Sequence, residues 1–267
     1  MKKSVDLCRS YATILTTLGI FILLTSFVFA VSSQPQGPTG FRTAGSSRYQ
    51  NNSNAVVIQA DAGNVTALII NNTRNTEAWQ GYYGNITGKV TLSDANNQTL
   101  YDWSLPNPTG EVYASNGSGV TWSKVYCMNV SYLRGVNNSG SVVYSVNSTQ
   151  IELLYGINVT DVDGLNETFN DTYTSVLGFK TGATSFTTSN GCSLTHPYTS
   201  TIYSNAWEEL LLSDNESIIF TSLIRKGADG FQSGTTDIYD FQMLVLENGH
   251  VGQESTLTNY YFYVELA

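Results

Sequence analysis

The chain has 267 residues, of which 12 are basic and 21 acidic, so its formal net charge is −9. Only 12% of the residues are charged, about half the share of an ordinary soluble domain. The acidic balance excludes a protein that binds nucleic acid through a basic surface, and the 41% hydrophobic content excludes a highly charged disordered chain.

Residues 1–31 have the pattern of an export signal. Lys2, Lys3 and Arg9 precede a long uncharged stretch, and positive charge keeps this end of a chain on the cytoplasmic side of a membrane. Small residues up to Ala30 match a signal-peptidase site, whereas about 20 apolar residues are long enough to span a bilayer. The segment predicts either a cleaved signal peptide or a retained transmembrane anchor. Both alternatives place the remaining chain outside the cell, secreted or held at the cell surface.

The next segment, residues 32–54, is rich in Pro, Gly and Ser, which predicts a flexible linker. Beyond it, short β-branched and aromatic runs separated by turn residues predict strands. Their close spacing predicts an all-β fold, namely an antiparallel β-sandwich over residues 55–267, as one large unit or two abutting ones. The runs are 55–58, 66–70, 89–92, 99–103, 111–114, 124–133, 141–144, 150–155, 173–177, 217–224, 238–246 and 260–266.

Two local patterns are more specific than the strand spacing. The turn residues between runs 89–92 and 99–103 predict a β-hairpin with a loop of four or five residues. Asn205, followed three residues later by Glu208 and then by three leucines, has the pattern of a helix N-terminus. This segment predicts one short helix of one or two turns.

Glycosylation sequons are the most frequent motif. The pattern Asn-x-Ser/Thr with x other than Pro occurs thirteen times, whereas a composition with 24 Asn leads us to expect about five. A glycan needs a solvated attachment point, so the motif predicts a glycoprotein, although Asn-x-Thr also recurs simply where a turn enters a strand. The asparagines are Asn51, Asn64, Asn71, Asn85, Asn97, Asn116, Asn129, Asn137, Asn147, Asn158, Asn166, Asn170 and Asn215.

Two cysteines, Cys127 and Cys192, lie in the exported part of the chain. In an oxidising compartment the pair predicts one disulfide, the alternative being two buried free thiols. The chain has no Cys-x-x-Cys motif, which excludes zinc ribbons and thioredoxin-type redox sites.

The densest acidic cluster spans residues 161–171. Asp161, Asp163 and Asn166 place side-chain oxygens around Gly164, which is the ligand chemistry that Ca²⁺ prefers. Residue 170 is Asn where an EF-hand needs a bidentate Glu, so that pattern fails. The cluster predicts a looser calcium site, with an ordinary Asp/Gly turn as the alternative.

Motifs of catalysis are absent from the sequence. His196 and His250 lie in loop-like segments that favour surface histidines, and no nucleophile elbow, P-loop or His-Glu-x-x-His motif occurs. We predict no catalytic and no cofactor-binding residue. The aromatic residues predict core packing or, alternatively, a platform for stacking sugars; they include Trp79, Tyr82, Tyr83, Trp103, Tyr113, Trp122, Tyr126 and Trp207.

Several strings resemble those of a group of uncharacterised exported, β-rich proteins of small-genome archaea. The strings are AWQGYYGNITG at 78–88, LYDW at 100–103, GEVYA at 110–114, DVDGLNETFN at 161–170, YDFQMLV at 239–245 and YYFYVEL at 260–266. The resemblance covers roughly residues 75–267. It implies a secreted or surface β-protein, and it supplies no catalytic residue.

These observations predict a non-enzymatic exported surface glycoprotein that contributes to the cell envelope, adhesion or a filament. Its partners would be other surface proteins or glycans, and the membrane itself if the N-terminal segment is retained. Two alternatives are an extracellular carbohydrate-binding module and a secreted hydrolase that uses two carboxyl groups.

Overall fold

Antiparallel strands dominate the computed structural model, which describes residues 34–48, 54–130, 134–136, 142–144, 148–173, 178–187, 190–198, 207–230, 238–247 and 257–267. The all-β prediction is confirmed, because the described residues form β-strands in antiparallel sheets and very few helices. Residues Gln34–Ala267 form one compact unit. The predicted export segment lies outside the described residues, and within them no helix is long and apolar enough to cross a membrane.

Seventeen strands and two α-helices are formed by the described residues. The helices are α1 (Ser148–Leu154) and α2 (Leu165–Thr168), and Trp122–Lys124 is a 3-10 helix. The strands are β1 (Trp79–Gly84), β2 (Gly88–Ser93), β3 (Thr99–Leu105), β4 (Gly110–Ser115), β5 (Tyr126–Cys127), β6 (Arg134–Val136), β7 (Val142–Tyr144), β8 (Asp171–Thr172), β9 (Phe179–Thr181), β10 (Thr184–Phe186), β11 (Ser193–Thr195), β12 (Glu209–Ser213), β13 (Ile218–Leu223), β14 (Ala228–Asp229), β15 (Ile238–Tyr239), β16 (Phe241–Leu246) and β17 (Tyr261–Leu266).

A seven-stranded antiparallel sheet forms the centre of the fold. Its order is β17-β4-β13-β12-β11-β8, and β5 also pairs with β12. Both faces of this sheet are covered. One face packs against β16 and the two helices, in a core that includes Val112, Leu211, Phe220, Met243 and Val245. The other face packs beside the β9–β10 hairpin, in a core that includes Tyr113, Phe179, Phe186, Leu210 and Leu212.

The covered faces explain why the short helix predicted after Asn205 is wrong over residues 207–212, whereas Asn205 itself lies outside the described residues. Leu210, Leu211 and Leu212 lie in strand β12 and are fully buried, pointing alternately into the two cores. A strand buried on both sides reads as a continuous apolar run, which has neither helical nor strand periodicity. Burial on both faces therefore decided the structure of this run.

The opposite error occurs at residues 150–155, where we predict a strand and the structure has helix α1. The structure buries Ile151 and Tyr155, four residues apart, and exposes Leu153 and Leu154. This is the spacing of one helical face.

Other strand predictions had mixed outcomes. Strands β2, β3, β4, β7, β13, β15, β16 and β17 coincide with predicted runs. Within the described part of 124–133, only Tyr126–Cys127 is a strand, and residues 174–177 lie outside the described residues. The start of the predicted linker contributes a β-bridge, because Gln36 and Val264 exchange backbone hydrogen bonds at the free edge of β17.

Candidate functional site

The β2–β3 hairpin is a two-stranded sheet that pairs with no other described strand. Its turn is stabilised by Asp94, whose carboxylate accepts the backbone N–H groups of Asn96 at 2.9 Å and Gln98 at 2.7 Å. The hydrogen bond from the Gln98 backbone holds the pKa of Asp94 below its usual value. At its base, a Cβ at Gly88 would overlap the Leu266 side chain, so the hairpin lies close against the C-terminal strand. The hairpin prediction is confirmed.

One side of this hairpin carries only large apolar side chains, which we call the hairpin face: Val90, Leu92, Tyr101 and Trp103. Cross-strand pairing places Val90 opposite Trp103 and Leu92 opposite Tyr101. The two aromatic ring centroids are 4.8 Å apart, and each of the four residues is half exposed or more. On the other side, the Lys89 ammonium lies 2.8 Å from the Asp102 carboxylate. The hairpin thus presents an apolar surface to the outside.

A second exposed apolar region is residues 54–72, which we call the N-terminal segment. We predict strands at 55–58 and 66–70, and this prediction is wrong, because residues 54–78 contain no strand. The turn between the two runs is formed, since the Asn64 N–H donates to the Asp61 carbonyl at 3.2 Å. Val57 and Ile69 are 87% and 93% exposed. The runs have β-type composition but pair with no strand among the described residues, and an isolated pair of strands is marginal in water.

A pair of buried carboxyl groups lies where β4 meets β17. Glu111 and Glu265 are directly opposite each other in the register, and both are buried. The Gly182 N–H donates to Glu265 Oε2 at 2.8 Å, and the Tyr113 hydroxyl lies 3.3 Å from the same oxygen. Burial and the neighbouring Glu265 carboxyl raise the pKa of Glu111 to about 8. Burial also raises the pKa of Glu265.

Sequence reasoning missed this carboxyl pair. A signal existed, because Glu111 and Glu265 each interrupt an otherwise apolar or aromatic strand. The sequence could not pair them, since they are separated by most of the domain and meet only through the β4–β17 register. A further carboxyl, Glu209, is also buried; it accepts the Leu244 N–H at 2.8 Å, and burial raises its pKa well above the ordinary value.

The predicted calcium residues have other contacts. The Thr76 hydroxyl donates to Asp163 Oδ2 at 2.5 Å, and the Trp79 indole N–H donates to the Asp163 carbonyl at 2.7 Å. Asp161 accepts the Asn158 N–H, and the Asn166 N–H donates to Glu152. Among the described residues no group of three or more His, Cys, Asp or Glu could hold a metal ion. The calcium site stays a prediction, and Asp163 anchors the start of β1.

The cysteine prediction is confirmed, since Cys127 and Cys192 form a disulfide with a Cα–Cα distance of 4.6 Å. The prediction of a surface histidine is wrong for His196, which is 5% exposed; its Nδ1 lies 2.8 Å from the Trp207 carbonyl. His250 lies outside the described residues. The sheet therefore buries a histidine that loop-like sequence had placed at the surface.

Ten of the thirteen sequon asparagines lie in the described residues, and eight of the ten are exposed. The two others, Asn116 and Asn129, are partly buried and use their side-chain amides in hydrogen bonds. Asn116 accepts the Ile218 N–H at 3.0 Å, and Asn129 donates to the Gly191 carbonyl at 2.9 Å. The exposed set is Asn64, Asn71, Asn85, Asn97, Asn158, Asn166, Asn170 and Asn215, and Asn51, Asn137 and Asn147 lie outside the description.

A scan against protein families, a search of curated proteins and a search of solved structures each found no match to this chain. The resemblance to exported archaeal proteins therefore stays a prediction.

Proposed function

We propose that this chain is a non-enzymatic, exported surface glycoprotein whose β-sandwich contributes to the cell envelope, to adhesion or to a filament. The observation that carries the proposal is the exposure of eight of the ten described sequon asparagines. A glycan can be attached at such positions without unfolding the domain, because its attachment point is already solvated. The Cys127–Cys192 disulfide supports the same location, since such bonds persist in oxidising compartments.

The proposal is tested by glycopeptide mass spectrometry of the protein purified from its native cells. We expect glycans on the exposed asparagines, and no glycan on Asn116 and Asn129, whose amides are engaged inside the fold. Asn215 is the matched control, because it lies in the turn between β12 and β13, three residues before the Ile218 that Asn116 contacts, but is exposed. A protein free of glycan at every sequon would contradict the glycoprotein proposal.

A carbohydrate-binding module is the second candidate, because the hairpin face carries two exposed aromatic rings. Sugars stack on flat rings, and Tyr101 and Trp103 lie side by side on one face. If this candidate is right, Trp103→Ala abolishes binding on a glycan array, whereas substitution of the exposed Tyr198 leaves binding unchanged. An array with no bound glycan eliminates this candidate.

The buried carboxyl pair is the feature that favours a hydrolase. A carboxyl group with a raised pKa can act as a general acid. Glu111 and Glu265 are, however, only 6% and 9% exposed, so a substrate would reach them only after the β9–β10 hairpin moved. Hydrolysis of a polysaccharide that is lost in both Glu111→Gln and Glu265→Gln would support the hydrolase and overturn the non-enzymatic proposal.

A further inference from the structure

Strand β17 is an edge of the seven-stranded sheet, because it pairs with β4 and with no other strand among the described residues. Backbone groups alternate in direction along an antiparallel strand, and the Ala267 N–H donates to the Thr109 carbonyl on the β4 side. Phe262, Val264 and Leu266 therefore direct their N–H and C=O groups away from β4. A row of outward-facing backbone groups is a template for pairing with another chain.

Residues 34–41, which we call the strap, contact this edge at two points. The Gln36 N–H donates to the Val264 carbonyl at 3.1 Å, and the Val264 N–H donates to the Gln36 carbonyl at 2.8 Å. Further along the strap, the centroid of the Phe41 ring lies 5.4 Å from that of the Phe262 ring. Phe41 nevertheless remains 67% exposed. The strap is therefore held by one backbone pair and one partly exposed ring contact.

Two prolines prevent the strap from becoming a full strand of the sheet. The pairing of Gln36 with Val264 would place Pro38 opposite Phe262, but proline has no N–H to donate. Pro35 is buried, and the alternation along the chain directs its backbone nitrogen, which also lacks a hydrogen, away from β17. Prolines at a sheet edge are one means by which natural proteins prevent pairing between edges. The strap thus contacts the edge without extending the sheet.

A second copy of β17 would pair with this edge more completely than the strap does. Val264 lies midway between Phe262 and Leu266, so antiparallel pairing of two β17 strands about Val264 brings Phe262 of each copy opposite Leu266 of the other. All three outward-facing residues would then be paired, whereas the strap pairs one of them. No sequon occurs in the strap or in β17. Glycans at the sequons are therefore not attached to either of the pairing segments.

We propose that the strap is an autoinhibitory element, which keeps the free edge of β17 from pairing with the β17 of a second copy. Displacement of the strap joins the seven-stranded sheets of two copies into one. Both copies use the same strand in this contact, and such an isologous contact closes after two copies. The product is a dimer. This inference goes beyond the proposed surface function and does not depend on glycosylation, because it concerns only the edge of the sheet.

The test uses the full chain produced by export, with both attachments of the strap removed in the variant Gln36→Pro/Phe41→Ser. Gln36→Pro removes the N–H that donates to Val264, and Phe41→Ser removes the ring contact with Phe262. In analytical ultracentrifugation we expect a monomer for the natural protein and a dimer for the double variant at the same concentration. Ala44→Pro is the matched control, because Ala44 is exposed and lies just beyond the strap. This control should remain monomeric.

Hydrogen exchange of single backbone amides, measured by NMR, gives a second measurement that identifies the surface used. In the natural protein the Val264 amide should exchange roughly tenfold or more slowly than the Phe262 and Leu266 amides, because the strap protects it alone. In the dimer all three amides should exchange slowly. This comparison in the natural protein does not depend on the folding of any variant.

Four results would each overturn the inference. The first is a Val264 amide that exchanges as fast as its neighbours in the natural protein, and the second is a double variant that stays monomeric at every concentration. The third is a dimer in which the Phe262 and Leu266 amides still exchange fast, because it would be formed through another surface. The fourth is a natural protein that already dimerises with all three amides protected, because the strap would then exclude nothing.

Discussion

Replacing Glu111 with Gln should stabilise the protein at alkaline pH by an amount on the order of 5 kcal/mol. Glu111 is buried opposite Glu265, and its pKa rises from 4.5 to about 8 in the folded chain. Each pKa unit corresponds to about 1.4 kcal/mol. Gln keeps the shape of the neutral carboxyl group and has no charge to bury, so the variant avoids the cost of ionisation.

The direction in which stability changes with pH follows from proton binding. Because the folded pKa is the higher one, the folded chain holds a proton that the unfolded chain releases between pH 4.5 and about 8. The free energy of unfolding of the natural protein therefore falls across this window and is highest below it. Urea unfolding can measure the difference in free energy of unfolding between E111Q and the natural protein. We expect this difference to be small at pH 4.5 and to have its full size at pH 9.

The exposed residue Glu216 provides the control, since Glu216→Gln should leave the free energy of unfolding unchanged at both pH values. An E111Q variant that is less stable than the natural protein at both pH values would contradict this prediction. The same variant also tests the hydrolase candidate, because a purely structural carboxyl can be replaced without any loss of activity.

Removing the disulfide should destabilise the domain by about 4 kcal/mol. Cys127 and Cys192 are separated by 65 residues and are both fully buried. The crosslink lowers the entropy of the unfolded chain by an amount worth about 4 kcal/mol for a loop of this length. Cys127 lies in β5, and both β5 and β11 pair with β12. Loss of the disulfide should therefore weaken the pairing of β5 and β11 with β12 first. Faster hydrogen exchange of the backbone amides in these strands would show this.

The double variant Cys127→Ala/Cys192→Ala should unfold at lower denaturant concentration than the natural protein. Cys8→Ala is the matched control, because Cys8 lies in the predicted export segment, residues 1–31. It should leave the unfolding midpoint of the domain unchanged. Equal midpoints for the double variant and the natural protein under oxidising conditions would contradict the prediction.

Local sequence predicted those elements whose signals are themselves local. The β2–β3 hairpin follows from two alternating runs and the turn at Asp94, all within 18 residues. The disulfide follows because Cys127 and Cys192 are the two cysteines that lie beyond the predicted export segment. By contrast, helix α1 and strand β12 were each assigned to the wrong class, because short apolar runs carry no usable period. The neighbouring elements that pack against each of these two runs decided whether it became a helix or a strand.

For the exposed apolar surfaces too, the sequence indicated single residues and the tertiary structure decided how they are arranged. The aromatic residue Trp103 could be singled out from the sequence, but its position on a face beside Tyr101 required the strand register. The predicted strands at 55–58 and 66–70 have the right composition and a formed turn, yet they pair with no strand in the part of the chain that the structure describes. Composition reports the preference of a segment for a sheet, whereas a strand exists only when another strand pairs with it.

The sequence by itself determined an all-β chain with one disulfide, since strand spacing, turn residues and cysteine number are read directly along the chain. The tertiary structure alone decided that Glu111 meets Glu265, that His196 is buried, and that the N-terminal segment lies exposed. The reason is that these features depend on contacts between residues far apart in the sequence. Such contacts form only where the register of antiparallel strands and burial on both faces of the central sheet bring distant segments together.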